Sequence, residues 1–270
     1  MNKVSDILSY ITEIAPLQWQ ENYDNSGLLI GDANAMVDKA LLTLDVTEKV
    51  IDEAIENSFH LIISHHPLIF KGIKNILTDN TTGRIITKAI KNDISIAAMH
   101  TNLDNSFVGV NMVLAEKLGL KNMQILRSSQ QSALSGQQLE LQVGSGMIGV
   151  LEHEMSEQEF MSLVKEKLSV PAIRHSELLN RPIKKVALCG GSGSFLINDA
   201  KRCKADVYLT ADVKYHEFFD ADNEILILDA GHFETEQFTK QLFADIILKK
   251  NPKFAVQISS VKTNSVHYFV

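Results

Sequence analysis

The sequence predicts an α/β protein with largely parallel sheets, built as two related halves, and three observations carry that expectation. Short apolar runs alternate with helical patterns along the chain, the signature of strands with helical cover. Three of those runs end in a histidine, where parallel strands present their ligands. The order of events over residues 39–104 is repeated in outline over residues 184–236. In each, strands and helices lead to a last strand that ends in His-x-x-x-acid.

The elements follow in order. Ile7, Leu8, Ile11 and Ile14 mark one face of a helix that ends before Pro16. Residues 19–31 hold the only tryptophan, Trp19, in a polar loop that runs into a short strand. That loop reads as a turn with a buried aromatic anchor, or as one whose Asp24 and Asn25 face a cavity. Residues 40–45 predict a strand, and Thr47 caps a helix carrying Glu48 in its first turn. The run Leu61-Ile62-Ile63-Ser64 then ends in His65-His66-Pro67. A loop over residues 72–82, a helix with Ile85, Ile86, Ala89 and Ile90, and a strand ending at His100 come next. A helix over residues 108–118 stops at Gly119.

Residues 127–138 turn polar and predict a linker or exposed hairpin. Ser156 and Glu159 form a capping box. The strand over residues 183–189 leads into Gly190-Gly191-Ser192-Gly193-Ser194. This run lacks both the Gly-Lys-Ser/Thr ending of a P-loop and the GxGxxG spacing, so it reads as a tight strand-to-helix turn. A helix, a strand over residues 206–210, Lys214-Tyr215-His216-Glu217 and the strand ending at His232 follow. An amphipathic helix (Phe238, Leu242, Phe243, Ile246, Ile247) and a terminal strand finish the chain. The expected division is a first lobe over 1–125, a linker with a short connecting βα segment over 126–182, and a second lobe over 183–270.

Composition narrows the function classes. The 270 residues, 45% hydrophobic and 22% charged, suit a globular protein with a substantial core. A formal charge of −7 argues against nucleic acid as the main partner, since phosphate backbones need a basic surface. No apolar run approaches the roughly 20 residues that span a bilayer, and no signal-peptide core is visible near Met1, so a cytoplasmic location without a membrane partner is expected. Cys189 and Cys203 form no CxxC pair, which argues against a disulfide and rules out a cysteine-based zinc site by number.

Of the nine histidines, His60, His153, His175 and His267 read as surface or satisfied core. His65 and His66 differ, being adjacent, at a strand end and before a proline. His232 and Glu236 fall four apart where a helix begins, so both share one face. Asp104 holds the equivalent place in the first half. Together His65, His66, Asp104, His232 and Glu236 offer three nitrogen ligands and two carboxylates, a set accepted by zinc, manganese, iron or nickel. Two metals roughly 3.5–4 Å apart would supply a nucleophile and clamp a transferring group. The alternative is that these are strand-end polar residues tied to loops. His100 and His216, if near the metals, are the groups suited to proton transfer.

Trp19 with Asp24-Asn25-Ser26-Gly27-Leu28, Ser64-His65-His66-Pro67, His100-Thr101-Asn102-Leu103-Asp104, Ala211-Asp212-Val213-Lys214-Tyr215-His216 and Gly231-His232-Phe233-Glu234-Thr235-Glu236 together resemble one family. It is the NGG-one-interacting-factor-three-like dinuclear metal-centre proteins, often labelled GTP cyclohydrolase I type 2 homologues. The resemblance spans nearly the whole chain. It implies two related α/β lobes with mostly parallel sheets and a dinuclear metal site between them. His65, His66 and Asp104 would be ligands from the first lobe, and His232 and Glu236 from the second. It also implies a toroidal homohexamer, two divalent ions per chain, and hydrolytic opening of the GTP purine ring. The span of residues 124–181 is too short for the extra domain that some relatives carry.

Two readings of function follow. One is a dinuclear-metal hydrolase of a small, nucleotide-like molecule. The other is a non-enzymatic metal-binding chaperone or protein-interaction scaffold. Carboxylate ligands without cysteines favour exchangeable metal and hydrolysis. The purine assignment rests on the family label, because the sequence holds no evident nucleotide-reading motif.

Overall fold

Four residues with no exposed side chain, Leu61–Ser64, form the central strand of the first sheet. It runs parallel to Lys39–Thr43 on one side and to Ser95–Ala98 on the other. A strand buried on both faces reads as a continuous apolar run rather than an alternation, and this one does. The computed structural model describes residues 1–129 and 143–269. Contacts divide the chain into two units, Met1–Leu103 with Thr239–Ser265, and Asp104–Phe238 with the C-terminal residues from Val266.

In the first unit the sheet order is Ala255–Ile258, Lys39–Thr43, Leu61–Ser64, Ser95–Ala98, Gly27–Ile30. All neighbours are parallel except Gly27–Ile30, which closes one edge antiparallel to Ser95–Ala98. Helix Glu48–Glu56 starts where the Thr47 hydroxyl accepts from the Val50 amide at 3.4 Å, and it buries Val50, Ile51 and Ala54. Helix Thr81–Lys91 is capped by Asn80, whose side chain accepts from Gly83 N at 2.8 Å. Its Ile85, Ile86 and Ala89 join Leu41, Ile62 and Ile96 in one core. Trp19 ends the short 3-10 turn Leu17–Trp19 and is half-buried, not the buried anchor expected from its polar surroundings.

Helix Thr239–Lys250 and strand Ala255–Ile258 complete this first unit, although the sequence reading places residues 239–265 with the second lobe. An amphipathic helix followed by a strand encodes its own form but not which sheet edge it joins. Glu53, only 8% exposed, fastens the returning chain: its carboxylate accepts from Ser260 N and Oγ, both at 2.8 Å, and from the Ser259 hydroxyl.

In the second unit the order is Lys121–Ser128, Gly144–Met155, Ile183–Ser192, Val207–Ala211, Leu226–Asp229, Arg174–His175. Its middle strands are parallel, whereas both flanks are antiparallel, so this sheet is mixed where largely parallel pairing is expected. The capping box predicted at Ser156 and Glu159 is present and starts helix Glu157–Leu168. Strand Gly144–Met155 and helix Glu157–Leu168 fall where a short connecting βα segment is expected, and both belong to this unit. The polar stretch 127–138 starts within strand Lys121–Ser128, and its part from residue 130 lies outside the described residues.

Both sheets repeat one arrangement, although Asp104, expected in a first lobe over 1–125, already belongs to the second unit. Three parallel strands lie side by side, an antiparallel edge strand follows the third, and that third strand leads into His-x-x-x-acid. After Ser95–Ala98 come His100 and Asp104, and after Leu226–Asp229 come His232 and Glu236. Among the described residues, no helix is long and apolar enough to cross a membrane.

Candidate metal centre

The first unit places its imidazoles by extending its strand ladder one step past the formal strand end. His65 N donates to Thr43 O at 3.3 Å, His66 N to Leu44 O at 3.0 Å, and Met99 N to Ser64 O at 3.0 Å. The backbones that carry the rings are thus held by sheet hydrogen bonds rather than left in a loop. His100 follows at once, its amide donating to Asn102 Oδ1 at 3.0 Å. Asn102 is fully buried and is itself fixed to Ala15 O at 2.7 Å.

The rings of His65, His66 and His100 converge, with centroids 4.9, 5.3 and 5.4 Å apart. One ring nitrogen from each lies within 4.8 Å of the others, a spacing that could hold a metal ion. The other nitrogen is engaged in every case. Nδ1 of His65 donates to Met99 O at 2.9 Å, Nδ1 of His66 to Asp45 Oδ1 at 2.7 Å, and Nδ1 of His100 to Asp24 Oδ1 at 2.8 Å. A carbonyl or ionised carboxylate can only accept, so in each pair Nδ1 is the donor and Nε2 is the ring nitrogen on the opposite side from that acceptor. Second partners of this kind fix the ring and tautomer of histidines in metal sites. Asp45 is braced in turn by Thr263 Oγ1 at 2.7 Å.

Of the two carboxylate acceptors Asp24 is the more enclosed, its side chain 0% exposed against 36% for Asp45. Burial alone would push its carboxyl up. The hydrogen bonds from His100 and Thr101, the charge of His100 and the Asn25 amide outweigh burial and hold it well below the usual carboxylate range.

The second unit repeats the device. Its short helix His232–Glu236 puts both side chains on one face, with Nε2 to Oε2 at 3.0 Å. Nδ1 of His232 donates to Asp212 Oδ2 at 2.7 Å. Asp212 directly follows strand Val207–Ala211, as His65 follows Leu61–Ser64. Burial works against a charge on His232, but Glu236 and Asp212 on either side push its pKa up to about 11. A proton on Nε2 there occupies the place that a cation would take between the two side chains.

Asp104 ends helix Thr101–Asp104, and a ligand-type oxygen of its carboxylate lies within 4.8 Å of one from Glu236. Asn111 secures this end: its Nδ2 donates to Asp104 O at 3.0 Å, and its Oδ1 accepts from Gly190 N at 2.8 Å. Gly191, in the left-handed region at φ +60°, explains the glycine run. A Cβ there would overlap Glu236 Oε1 and come within 3.2 Å of His232 Nε2. Gly190, Gly191 and Ser192 continue strand Ile183–Ser192 past a shift in register, so the turn expected over the whole run is confined to Gly193, and the run is also the surface against which the carboxylate lies. Cys189 beside it is buried, and burial with the charges of Asp104 and Glu236 pushes its thiol up, away from the thiolate that would ligate.

The structure thus brings His65 and His66 together with His100 in one unit, and Asp104 with His232 and Glu236 in the other. His216 lies apart from both groupings in kind. It is exposed on the 3-10 turn Tyr215–Ala221, its ring 5.1 Å from Tyr215 and stacked 6.2 Å from Phe219. The orienting acids Asp45 and Asp212, the clip Asn111 and the reason for Gly191 are not evident from local pattern. Asp24 and Asp212 do fall within distinctive motifs, which was the available signal.

The donor set is imidazole nitrogen and carboxylate oxygen without thiolate. Rings with Nδ1 held by acceptors, and a carboxylate lodged against a glycine, fit a resident divalent cation of the zinc, manganese, iron or nickel kind.

Comparison with known proteins gives a consistent result. The family model described as Duf34/NIF3 (NGG1p interacting factor 3) matches residues 2–265. A Clostridium perfringens protein named GTP cyclohydrolase 1 type 2 homolog is 40% identical, covering 87% of each chain. A Campylobacter jejuni protein of the same name is 34% identical over 99% of this chain and 100% of its own. The crystal structure of a Bacillus cereus protein related to NIF3 superimposes with a TM-score of 0.91 at 29% identity, covering 100% of this chain and 99% of that one.

Proposed function

This chain belongs to the Duf34/NIF3 family, and from that premise we propose that it is a metal-dependent hydrolase of a small nucleotide-like molecule, working with two divalent cations per chain. The ligands in this reading are His65, His66, Asp104, His232 and Glu236, drawn from both units. The observation that carries it is the uniform treatment of the ring nitrogens. Each of His65, His66 and His232 has Nδ1 bound to a fixed acceptor, which leaves Nε2 as the ligand atom.

Bound cations would supply Lewis acidity and a nucleophile near neutral pH. The chain's own residues would do the rest. Asp45, Met99 O and Asp212 hold the ligand rings, Gly191 seats Glu236, and Asn111 ties Asp104 to the strand end. Proton transfer falls to His100, whose ring adjoins His65 and His66, with His216 as the second choice. The relatives' name, GTP cyclohydrolase 1 type 2 homolog, supports a purine nucleotide as substrate, with ring opening as the reaction. A cytoplasmic toroidal hexamer completes the proposal.

The second reading, a non-enzymatic metal chaperone or interaction scaffold, would use the same ligands without turnover. Elemental analysis of wild type and of a His232→Ala, Glu236→Ala double variant, followed by turnover of GTP, separates the two. Two equivalents in wild type, reduced in the variant, together with metal-dependent turnover support the hydrolase. Metal bound without turnover of GTP or related purine nucleotides supports the chaperone. Failure to retain any of the four metals after reconstitution removes both readings.

A further inference from the structure

We propose that Asp24 is a positioning residue that locks His100 in the tautomer protonated on Nδ1, so that Nε2 is presented as an acceptor to the reacting molecule. The identity of that molecule rests on the hydrolase reading, whereas the tautomer lock does not.

The two oxygens of Asp24 have separate duties. Oδ2 accepts from Thr101 N at 3.0 Å, Thr101 Oγ1 at 2.5 Å and Ser26 Oγ at 2.9 Å, which ties the residue-24 turn to the start of helix Thr101–Asp104. None of those three bonds involves the imidazole. Oδ1 accepts from the adjacent Asn25 amide at 2.7 Å and from Nδ1 of His100 at 2.8 Å. A purely structural carboxylate would have no need of the imidazole. Anchored by Oδ2, the fully enclosed carboxylate instead offers Oδ1 as a fixed acceptor whose position does not depend on the ring.

The ring it holds is placed for use. His100 has 16% of its side chain exposed, while its neighbour His65 has none. Phe70 meets it edge-on at 6.1 Å, and Phe70 is itself 42% exposed and pairs with exposed Tyr23. One face of the imidazole therefore borders the candidate ligands, and another borders an open aromatic rim. A histidine held by a buried carboxylate through Nδ1 is the arrangement that fixes tautomer and orientation in proton-transferring dyads. In that role Nε2 takes the proton of the attacking water as the new C–O bond forms, and returns it to the leaving nitrogen as the C–N bond breaks.

The test uses the full chain loaded with zinc and labelled with 15N at histidine. Long-range 1H–15N correlation should show His100 protonated at Nδ1 in wild type, and shifted toward the Nε2-protonated form in Asp24→Asn. Thr101→Val, which removes a donor to Oδ2 and the acceptor of Glu21 N but leaves both bonds to Oδ1 in place, should leave the tautomer as in wild type. His100→Ala should retain its full metal content. With GTP as the probe substrate, Asp24→Asn should lower kcat by roughly 10²–10⁴-fold, with KM within about twofold. A wild-type ring protonated at Nε2, an unchanged tautomer in Asp24→Asn, an equal shift in Thr101→Val, or loss of metal in His100→Ala would each overturn the proposal. If wild type does not turn over GTP, the purine assignment fails, and the tautomer and metal measurements still decide this one.

Discussion

Gly191 and Glu236 lie so close that a side chain on the first would occupy the space of the second, since a Cβ at residue 191 would overlap Oε1 of the glutamate. Gly191→Ala must therefore move Glu236, and its left-handed backbone adds strain. The expected result is a loss of roughly 1–3 kcal/mol in stability. Metal affinity should fall at least about tenfold, the scale on which misplaced ligands and their supports are felt. Calorimetric metal titration alongside thermal unfolding checks both, and unaltered metal binding would refute the role given to the glycine.

Asp45 holds His66 from behind, and Thr263 holds Asp45. Replacing Asp45 by Ala removes the acceptor on Nδ1, leaving His66 free to change tautomer and turn. Metal affinity should drop about 10–100-fold. Thr263→Val, one bond further out, should show the same effect at smaller size. Competition with a chromophoric chelator measures the two in one series.

The pKa of His232 sets a pH dependence for the metal-free protein. The folded value is pushed up to about 11 from an ordinary 6.5 by Glu236 and Asp212 against the opposing effect of burial. Its contribution to stability is therefore fully present below about pH 6.5 and declines as pH rises toward 11. In chelator-treated protein the unfolding midpoint of wild type should fall over this window more steeply than that of His232→Gln. Parallel curves for the two proteins would show that the ring is not charged in the folded state.

Glu53 supplies an opposite case. Burial would push its carboxyl up, but hydrogen bonds from Ser259 and Ser260 outweigh burial and hold it below its ordinary range. A depressed folded pKa gives stability that is present above the unfolded value and lost as pH falls through the folded one. Glu53→Ala leaves the buried Ser259 hydroxyl and the Ser260 amide without their acceptor, a cost of roughly 1–3 kcal/mol at neutral pH. Chemical denaturation at pH 7 and at pH 3 should show the gap between variant and wild type narrowing in acid.

The strand ends were legible because an apolar run stopped by His-His-Pro, or by His-x-x-x-acid, is a local pattern. The caps at Thr47 and Ser156 were legible for the same reason. The partners that hold the rings were not. Asp24 lies 76 residues from His100, Asp45 21 from His66, and Asp212 20 from His232. No local periodicity links a carboxylate to an imidazole that topology alone brings near. The glycine run predicts a turn, which is confined to Gly193, and the reason for Gly191 sits in Glu236, on another element. Residues 239–265 illustrate the same limit at larger scale, because the choice of sheet edge is settled by packing against Lys39–Thr43.

The returning segment also bears on how the chain is made. Strand Lys39–Thr43 gains its outer neighbour only when Ala255–Ile258 has been synthesised, while every strand of the second sheet lies between Lys121 and Asp229. During translation the histidine-bearing sheet must wait with an open edge, a template for wrong pairing. The later-encoded unit is thus the first able to complete its sheet on the ribosome. A nascent chain arrested before residue 255 should hold a protease-resistant second unit beside a first unit that still depends on chaperones.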